Sequence, residues 1–455
     1  LVFHGLVLKL GPGMSPCAAS NPHAAGIYHK CSRCATGHRC ARRAPSGTYP
    51  SVRIASLKQS SFTRFWLAET ATVLAYQMLV VAVGWQTYEL TNSALSLGLI
   101  GLVQVTPVFV FALVAGHAAD RYDRRRIALA SQAIQCLVAV AFAAASLSGV
   151  LSSLLIYIGS FFIGTAQAFQ SPSVRSLLPT LVPRRQLPKA IAWTGALRKG
   201  AVVAGPGLGG LIYLLGPTEV YATSSVFFIV AGVLFITVRL PAAIRPRAPV
   251  TLNTFFAGIS YIRHNRVVLG AISLDLFAML LGGTAALLPI YARDILETGP
   301  AGLGMLRAAP AVGAIFVSLV LVRAPLTRNV GRIMFACIAV FGVATVVFGL
   351  SRSFALSLAA LAILGGADMI SVVIRTSLIQ LETPDEMRGR VTAVNSLCTN
   401  SSNQLGQFES GVVAALLGTV PAVVIGGIGT LLVAALWMRL FPSLYQRHTL
   451  SARAM

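Results

Sequence analysis

From residue 64 onward the chain is written as long apolar blocks separated by short polar ones. A bilayer crossing takes about 20 predominantly apolar residues. Twelve blocks reach that length, at 64–89, 94–116, 127–149, 150–172, 188–214, 218–239, 266–291, 300–322, 332–350, 353–376, 391–416 and 418–440. Backbone amides and carbonyls in hydrocarbon must be satisfied within their own segment, so each block is predicted to be a helix. A β-barrel would alternate apolar and polar residues over segments of about ten, and no such alternation occurs. The connections are short, so successive helices are predicted to run antiparallel. The expected class is an all-α membrane protein with twelve transmembrane helices.

Composition agrees. Only 11% of the 455 residues are charged, against about 25% in a soluble domain. The net charge of +23 raises a nucleic-acid partner, but the placement of the charges argues against one. After Ala55, 24 Lys and Arg residues, Arg175 and Arg375 among them, fall on one set of alternating loops and ends. The opposite loops hold two, Arg293 and Arg352, and three more, Arg198, Lys199 and Arg307, lie within spans. The positive-inside rule then places both termini and every basic loop in the cytoplasm. The expected location is the inner membrane of a bacterium, crossed many times.

Residues 1–55 differ. They hold seven Lys and Arg, no acid, and four of the seven cysteines. Cys31, Cys34, His38 and Cys40 are candidate zinc ligands by type. No second close pair follows at finger or ribbon spacing, so the segment is expected to be a disordered or mis-started leader, with no metal.

The two halves echo each other. Val174-Arg175-Ser176-Leu177-Leu178-Pro179 and Ile374-Arg375-Thr376-Ser377-Leu378 match at an offset of 200. At 201, Gly205 aligns with Gly406 and Gly210 with Gly411. This predicts a six-plus-six duplication: a first bundle at 56–239, a second at 267–440 and a cytoplasmic tail at 441–455. The linker, 240–266, carries Phe255, Phe256, Ile259 and Ile262 at helical spacing, then Arg263 and Arg266. It is read as an amphipathic helix on the membrane surface.

Ionisable residues inside spans are costly in lipid and usually face a cavity. Asp275, Asp368, Glu409 and Glu69 are the candidate proton carriers, Asp275 first. A carboxylate whose surroundings alternate between apolar and arginine-paired takes up and releases a proton. Arg198 joins the cavity candidates; snorkelling to the cytoplasm is its simpler reading. Asn400, Asn403, Gln404 and Gln407 form one helical stripe, and Gln77, Gln104, Gln167 and Gln170 are further cavity candidates. Glue between helices is the alternative for the stripe. No phosphate-binding Gly-Lys-Ser/Thr loop occurs, so no nucleotide cofactor is expected.

Gly116, Asp120, Arg121, Arg124 and Arg125 form a Gly-x-x-x-Asp-Arg-x-x-Arg-Arg pattern between the second and third spans. It resembles the signature loop of major facilitator superfamily transporters. Gly84–Thr91, Gly205-Pro206-Gly207-Leu208-Gly209-Gly210, Leu287–Asp294 and Pro384–Val391 resemble its drug and siderophore exporter branch, which includes macrolide efflux proteins and enterobactin exporters. The resemblance implies the major facilitator fold, and a gate in which Gly116 lets helices approach and Asp120 latches onto the start of span eleven. Arg121 and Arg125 belong to that loop, and Arg388 and Arg390 are the expected partners across it. Arg124–Arg126 are expected to act mainly as topology anchors. Gly205 and Pro206 would kink span five, and Gly209 and Gly210 would pack it closely. The family often has Gly where this chain has Asp123. The implied function is secondary active transport rather than an enzymatic reaction. A monomer would export a small amphipathic or cationic molecule, drug or siderophore-like, in exchange for protons. Uptake by symport, lipid flipping and a non-transporting membrane receptor are the alternatives.

Overall fold

The computed structural model describes residues 51–238 and 252–449, except 325 and 327. Cys31, Cys34, His38 and Cys40 lie outside the described residues, as does the first part of the linker. Among the described residues there are helices and no strands.

Six long helices come first: α1 (Ser51–Thr91), α2 (Ala94–Arg121), α3 (Arg124–Leu147), α4 (Ser153–Leu181), α5 (Leu187–Ile212) and α6 (Pro217–Thr237). Then follow the linker helix α7 (Leu252–His264) and α8 (Arg266–Leu281). A short α9 (Leu288–Ile290) precedes α10 (Gly299–Arg323), α11 (Val330–Leu350), α12 (Phe354–Glu382), α13 (Asp385–Leu417) and α14 (Thr419–Leu440), and α15 (Pro442–Tyr445) closes the chain. Several starts are capped by short polar side chains that accept otherwise orphaned amides. Ser93 caps α2, Ser152 caps α4, and Asn265 accepts from Val267 and Val268 at the start of α8. Asp123 caps α3 by accepting from the Arg125 amide at 2.9 Å, which gives this departure from the family pattern a physical role.

Among the described residues, ten segments are long and apolar enough to cross a membrane. The two long helices that fall short are α5 and α13, which carry the intramembrane Arg198-Lys199 pair and the polar stripe. Two boundaries differ from the sequence expectation in ways that matter. Helices α4 and α12 run on to Leu181 and Glu382. Arg175 and Arg375, read as loop residues, therefore lie inside helices, Arg375 about 10 Å from the end of α12 at 1.5 Å per residue. The seventh span is also not one helix. Beyond α8 it breaks at Gly282 and Gly283, makes a 3-10 turn at Thr284–Ala286, and ends in a π turn at Tyr291–Ile295. A side chain on Gly283 would sit 2.2 Å from the Gly406 carbonyl, so the break brings the backbone directly against α13.

The second half repeats the packing of the first. Helix α1 packs on α5 and α6, α3 on α4 and α6, and α2 on α4. Correspondingly, α8 packs on α13 and α14, α11 on α12 and α14, and α10 on α12. Two pseudo-symmetric contacts join the halves, α2 with α13 and α5 with α10. Large apolar side chains point outward from the peripheral helices, among them Leu137 and Leu147 on α3, Ile229 on α6, Val343 on α11 and Leu432 on α14. An apolar exterior of this extent is stable against lipid.

The linker helix turns its apolar face to protein. Ile259 and Ile262 pack with Ile379, Val391 and Val394. The Tyr261 hydroxyl donates to the Glu382 carbonyl at 2.5 Å. Phe256 and Arg263 stay exposed.

Candidate functional site

The densest charge cluster lies where α8, α12 and α13 meet. Asp368 and Arg375 are seven residues apart on α12, two turns along one face. Arg375 Nη2 lies 2.8 Å from Asp275 Oδ1 on α8 and 3.6 Å from Asp368 Oδ1. Thr399 on α13 donates its hydroxyl to Asp275 Oδ2 at 2.9 Å. The Arg375 and Asp275 side chains are 5% and 10% exposed, whereas Asp368 is 32% exposed. A cavity of about 200 Å³ opens beside them, with Arg175, Ser396 and Asn400 also on its wall. Asp275 and Asp368 are thus brought together. Arg375 was hidden because it reads as a loop cation. The repeat held the clue, since it aligns Arg175 with Arg375, and both line this cavity.

The first half contributes a second pair. Arg198 on α5 reaches Glu69 on α1 at 3.1 Å. The Glu69 side chain is 9% exposed, so it is neither a surface residue nor without a partner, and Arg198 is held by a carboxylate rather than only snorkelling. Two contacts cross between the halves nearby: Arg175 donates to the Ser396 hydroxyl at 3.3 Å, and Lys199 to Met369 Sδ at 3.4 Å.

The polar stripe of α13 divides. Asn400 faces the cavity. Gln404 donates to Gln104 Oε1 on α2 at 3.4 Å, and Gln104 Oε1 also lies 3.5 Å from the Tyr76 hydroxyl. Gln167 lies near Tyr76. Gln407 packs beside Gly101, and Asn403 turns back to the Thr399 carbonyl of its own helix at 2.9 Å. Gln170 is placed elsewhere. It accepts from Gln135 at 2.6 Å and donates to Gln132 at 3.4 Å, inside the first half. There it is buried glue between α3 and α4, because both partners project from α3. Gln77 packs against Gly205, whose Cβ would lie 2.5 Å from that of Gln77. Glu409 lies apart from the charge cluster, near Gly411 at the far end of α13, with Ser410 as its partner.

The halves close at the end remote from the basic loops. Gly98 meets Gly411 between α2 and α13, and Gly210 meets Gly304 between α5 and α10. A Cβ on Gly304 would lie 2.4 Å from the Pro206 carbonyl. Gly209 packs on Met78 of α1, while a Cβ on Gly207 would meet nothing within 4 Å. Val81, Tyr88 and Leu97 form one apolar cluster with Leu303, Leu306 and Phe348 from the other half. The Tyr88 hydroxyl bonds Asp294, Arg293 donates to Asn92 at 3.1 Å, and the Arg293 guanidinium lies over the Tyr88 ring. This clamp joins two of the branch motifs and was not foreseen, because nothing in either motif names its partner.

At the basic end the glycines make no such contact between the halves. A Cβ on Gly116, Gly195, Gly200 or Gly389 would meet nothing within 4 Å. The close approach expected at Gly116 is therefore not made in this conformation. Arg121 is exposed, and the side chain of Asp120 lies outside the described residues. Arg388 pairs with Asp385 of its own first turn at 2.6 Å, and Arg390 lies against Met387. Arg125 bonds the Ile236 carbonyl and Arg64 the Thr237 carbonyl at 3.1 Å. Both cations sit at the negative end of α6. Arg124, expected as a topology anchor, is buried and donates to the Ser176 carbonyl at 3.2 Å.

A duplicated twelve-helix bundle, closed at one end around a central polar interior, defines a secondary transporter of the major facilitator superfamily. Residues 51–452 match the family described as transmembrane secretion effector, and the chain belongs to that family. It is similar to enterobactin exporters from Shigella boydii serotype 18 and Escherichia coli, each 25% identical over 83% of this chain and 90% of the relative. In fold it resembles a bacterial homologue of the lysosomal transporter Spinster in an inward-facing, unoccupied conformation, with a TM-score of 0.66 and 13% identity over 88% of this chain and 97% of that one. It also resembles the POT family transporter PepTSo, with a TM-score of 0.67 and 14% identity over 85% and 98% of the two chains. The chain is a multi-pass membrane protein that moves a small molecule.

Proposed function

We propose that the protein is a proton-coupled exporter of a small amphipathic molecule, working by alternating access as a monomer. The basic face is then cytoplasmic, and the conformation described is open to the cytoplasm and closed outside. The observation that carries this reading is the shared guanidinium of Arg375. Asp275 and Asp368 together offer two negative charges to one cation. Within this triad the carboxylates outnumber the cation by one, so a single proton on either carboxylate neutralises it without expelling the arginine, while Arg175 and Lys199 of the first half stand nearby. Such neutrality matters where few waters screen a charge.

The coupling follows from position. Asp275 is held from α8, α12 and α13 at once, so any movement between these helices alters its partners. Thr399 and Asn400 are successive residues of α13, and they connect the carboxylate to the cavity wall. A molecule entering the cavity therefore perturbs the same helix that holds the proton site. Rocking of the halves would exchange the sealed seam at Gly98–Gly411 and Gly210–Gly304 for closure at the basic end. Siderophore-like cargo is the first class to test, since two relatives are named as enterobactin exporters.

The test is proton flux in proteoliposomes across a panel of amphipathic compounds, with Asp275→Asn in parallel. We expect compound-dependent proton counterflow in the wild type and its loss in the variant. Unchanged exchange in Asp275→Asn removes the proton site. If no compound is driven by an imposed proton gradient, proton-coupled export is wrong. Gradient-driven accumulation on the cytoplasmic side would identify an uptake symporter instead.

A further inference from the structure

Three arginines in the membrane-spanning helices are placed very differently. Arg375 has two carboxylates within 4.0 Å, and Arg198 has one. Arg307, on α10, has none among the described residues. Its Nε is sealed from solvent without a hydrogen-bond partner. Its Nη2 makes a single long contact, 3.5 Å to the Ala285 carbonyl. Tyr76 of α1 lies near it.

The guanidinium faces the seam between the halves. A Cβ on Gly84 of α1 would lie 3.2 Å from Arg307 Nη2 and 3.4 Å from Pro289. Glycine at this point leaves the arginine room against the opposite half. Tyr76 in turn belongs to the polar group formed with Gln104 and Gln404. Hydrogen-bonding side chains from both halves therefore lie close to an uncompensated cation. Arg307 is part-buried, desolvating a cation without its counter-ion is unfavourable, and an intramembrane charge with no carboxylate partner marks a candidate functional site.

We propose that Arg307 is a binding residue for an acidic group on the transported molecule, a carboxylate or comparable organic anion. The planar fork of guanidinium N–H groups suits such a group. Tyr76, Gln104 and Gln404 supply hydrogen bonds around it. The cargo class is thus an amphipathic acid rather than a cation. This rests on the reading of the protein as a transporter.

The experiment uses the full chain in detergent and reads binding from thermal stabilisation. Probes are matched pairs: benzoate and benzamide, 2-naphthoate and 2-naphthamide, decanoate and decanamide, at constant ionic strength. For at least one pair, wild-type protein is expected to bind the acid at least tenfold more tightly than the amide. Arg307→Gln should abolish that ratio, Arg307→Lys should keep part of it, and Arg352→Gln, on an opposite loop, should leave it unchanged. If Arg307→Gln does not yield monodisperse protein, Arg307→Lys and Gly84→Ala are read against wild type, and both must lower the ratio. No acid preference in any wild-type pair overturns the proposal. So does an acid preference that persists in Arg307→Gln, or a ratio left undiminished in either fallback variant. The measurement needs no gradient, so it stays readable if proton coupling fails. Proton-coupled movement of compounds without acid preference would sink this proposal alone.

Discussion

Asp275 and Arg375 meet at 2.8 Å across α8 and α12, with both side chains almost sealed. Asp368 stands behind as a second, looser partner at 3.6 Å. The two pairings are unequal, and that inequality has consequences for stability. Asp275→Asn leaves Arg375 with Asp368. Arg375→Met leaves two carboxylates facing each other without a cation. Removing one partner of a buried pair costs about 3–5 kcal/mol. Arg375→Met is therefore expected to lose that much and Asp275→Asn distinctly less, measured by unfolding in detergent. Equal losses would mean that Asp368 does not serve as a second partner.

The clamp at the closed end joins α1 to the π turn. Tyr88→Phe and Asp294→Ala each remove the same hydrogen bond. A double-mutant cycle should give a coupling of about 0.5–3 kcal/mol. The readout is a cysteine at Leu303, which is fully buried at the closed seam, in a background with the seven native cysteines replaced. Its labelling by a membrane-impermeant maleimide should rise in either single variant and rise little further in the double. Additive increases would show that the two side chains act separately.

Glycines at the two ends of the seam are predicted to respond oppositely to alanine. Gly304→Ala places a Cβ 2.4 Å from the Pro206 carbonyl, an overpacking that costs about 1–3 kcal/mol. Gly116→Ala meets nothing within 4 Å, so its stability should stay within about 0.5 kcal/mol of wild type. If the halves close at Gly116 in the alternate state, transport by Gly116→Ala falls while its melting curve does not. Unchanged transport would leave Gly116 outside the gate.

Arg125 holds the last carbonyls of α6 rather than a partner across the halves. Arg125→Ala is expected to lose about 0.3–1 kcal/mol, the usual worth of a cation at a helix C-terminus, with Arg125→Lys retaining most of it. Transport rate should be preserved once expression is matched. A large loss of rate at normal stability would return Arg125 to the gating machinery.

Hydrophobic pattern was enough to place most of the helices, because a bilayer demands apolar length and satisfied backbone whatever the partners are, while the duplication was legible from matched residues such as Arg175 and Arg375. The spacing of Asp275, Asp368 and the α13 stripe marked those residues as interior, since polar groups in lipid need a reason to be there. The same rule misplaced Arg375 and Arg175. Both lie near span ends, where charge normally means a loop, and only the extension of α4 and α12 makes them interior. Gln170 shows the opposite error. An intramembrane glutamine reads as a cavity residue until its neighbours on α3 are known.

Pairing was decided by the tertiary structure. Asp275 and Arg375 are 100 residues apart in the chain, and Tyr88 and Asp294 belong to motifs in different halves. No local propensity connects them. Which glycines are crowded and which stand free depends on the conformation the halves adopt, and the sequence carries both kinds alike. The solvent-facing logic of the chain was legible residue by residue. The charge balance of Arg375 and the isolation of Arg307 are properties of packing, because a guanidinium acquires its meaning from the carboxylates that folding brings within reach.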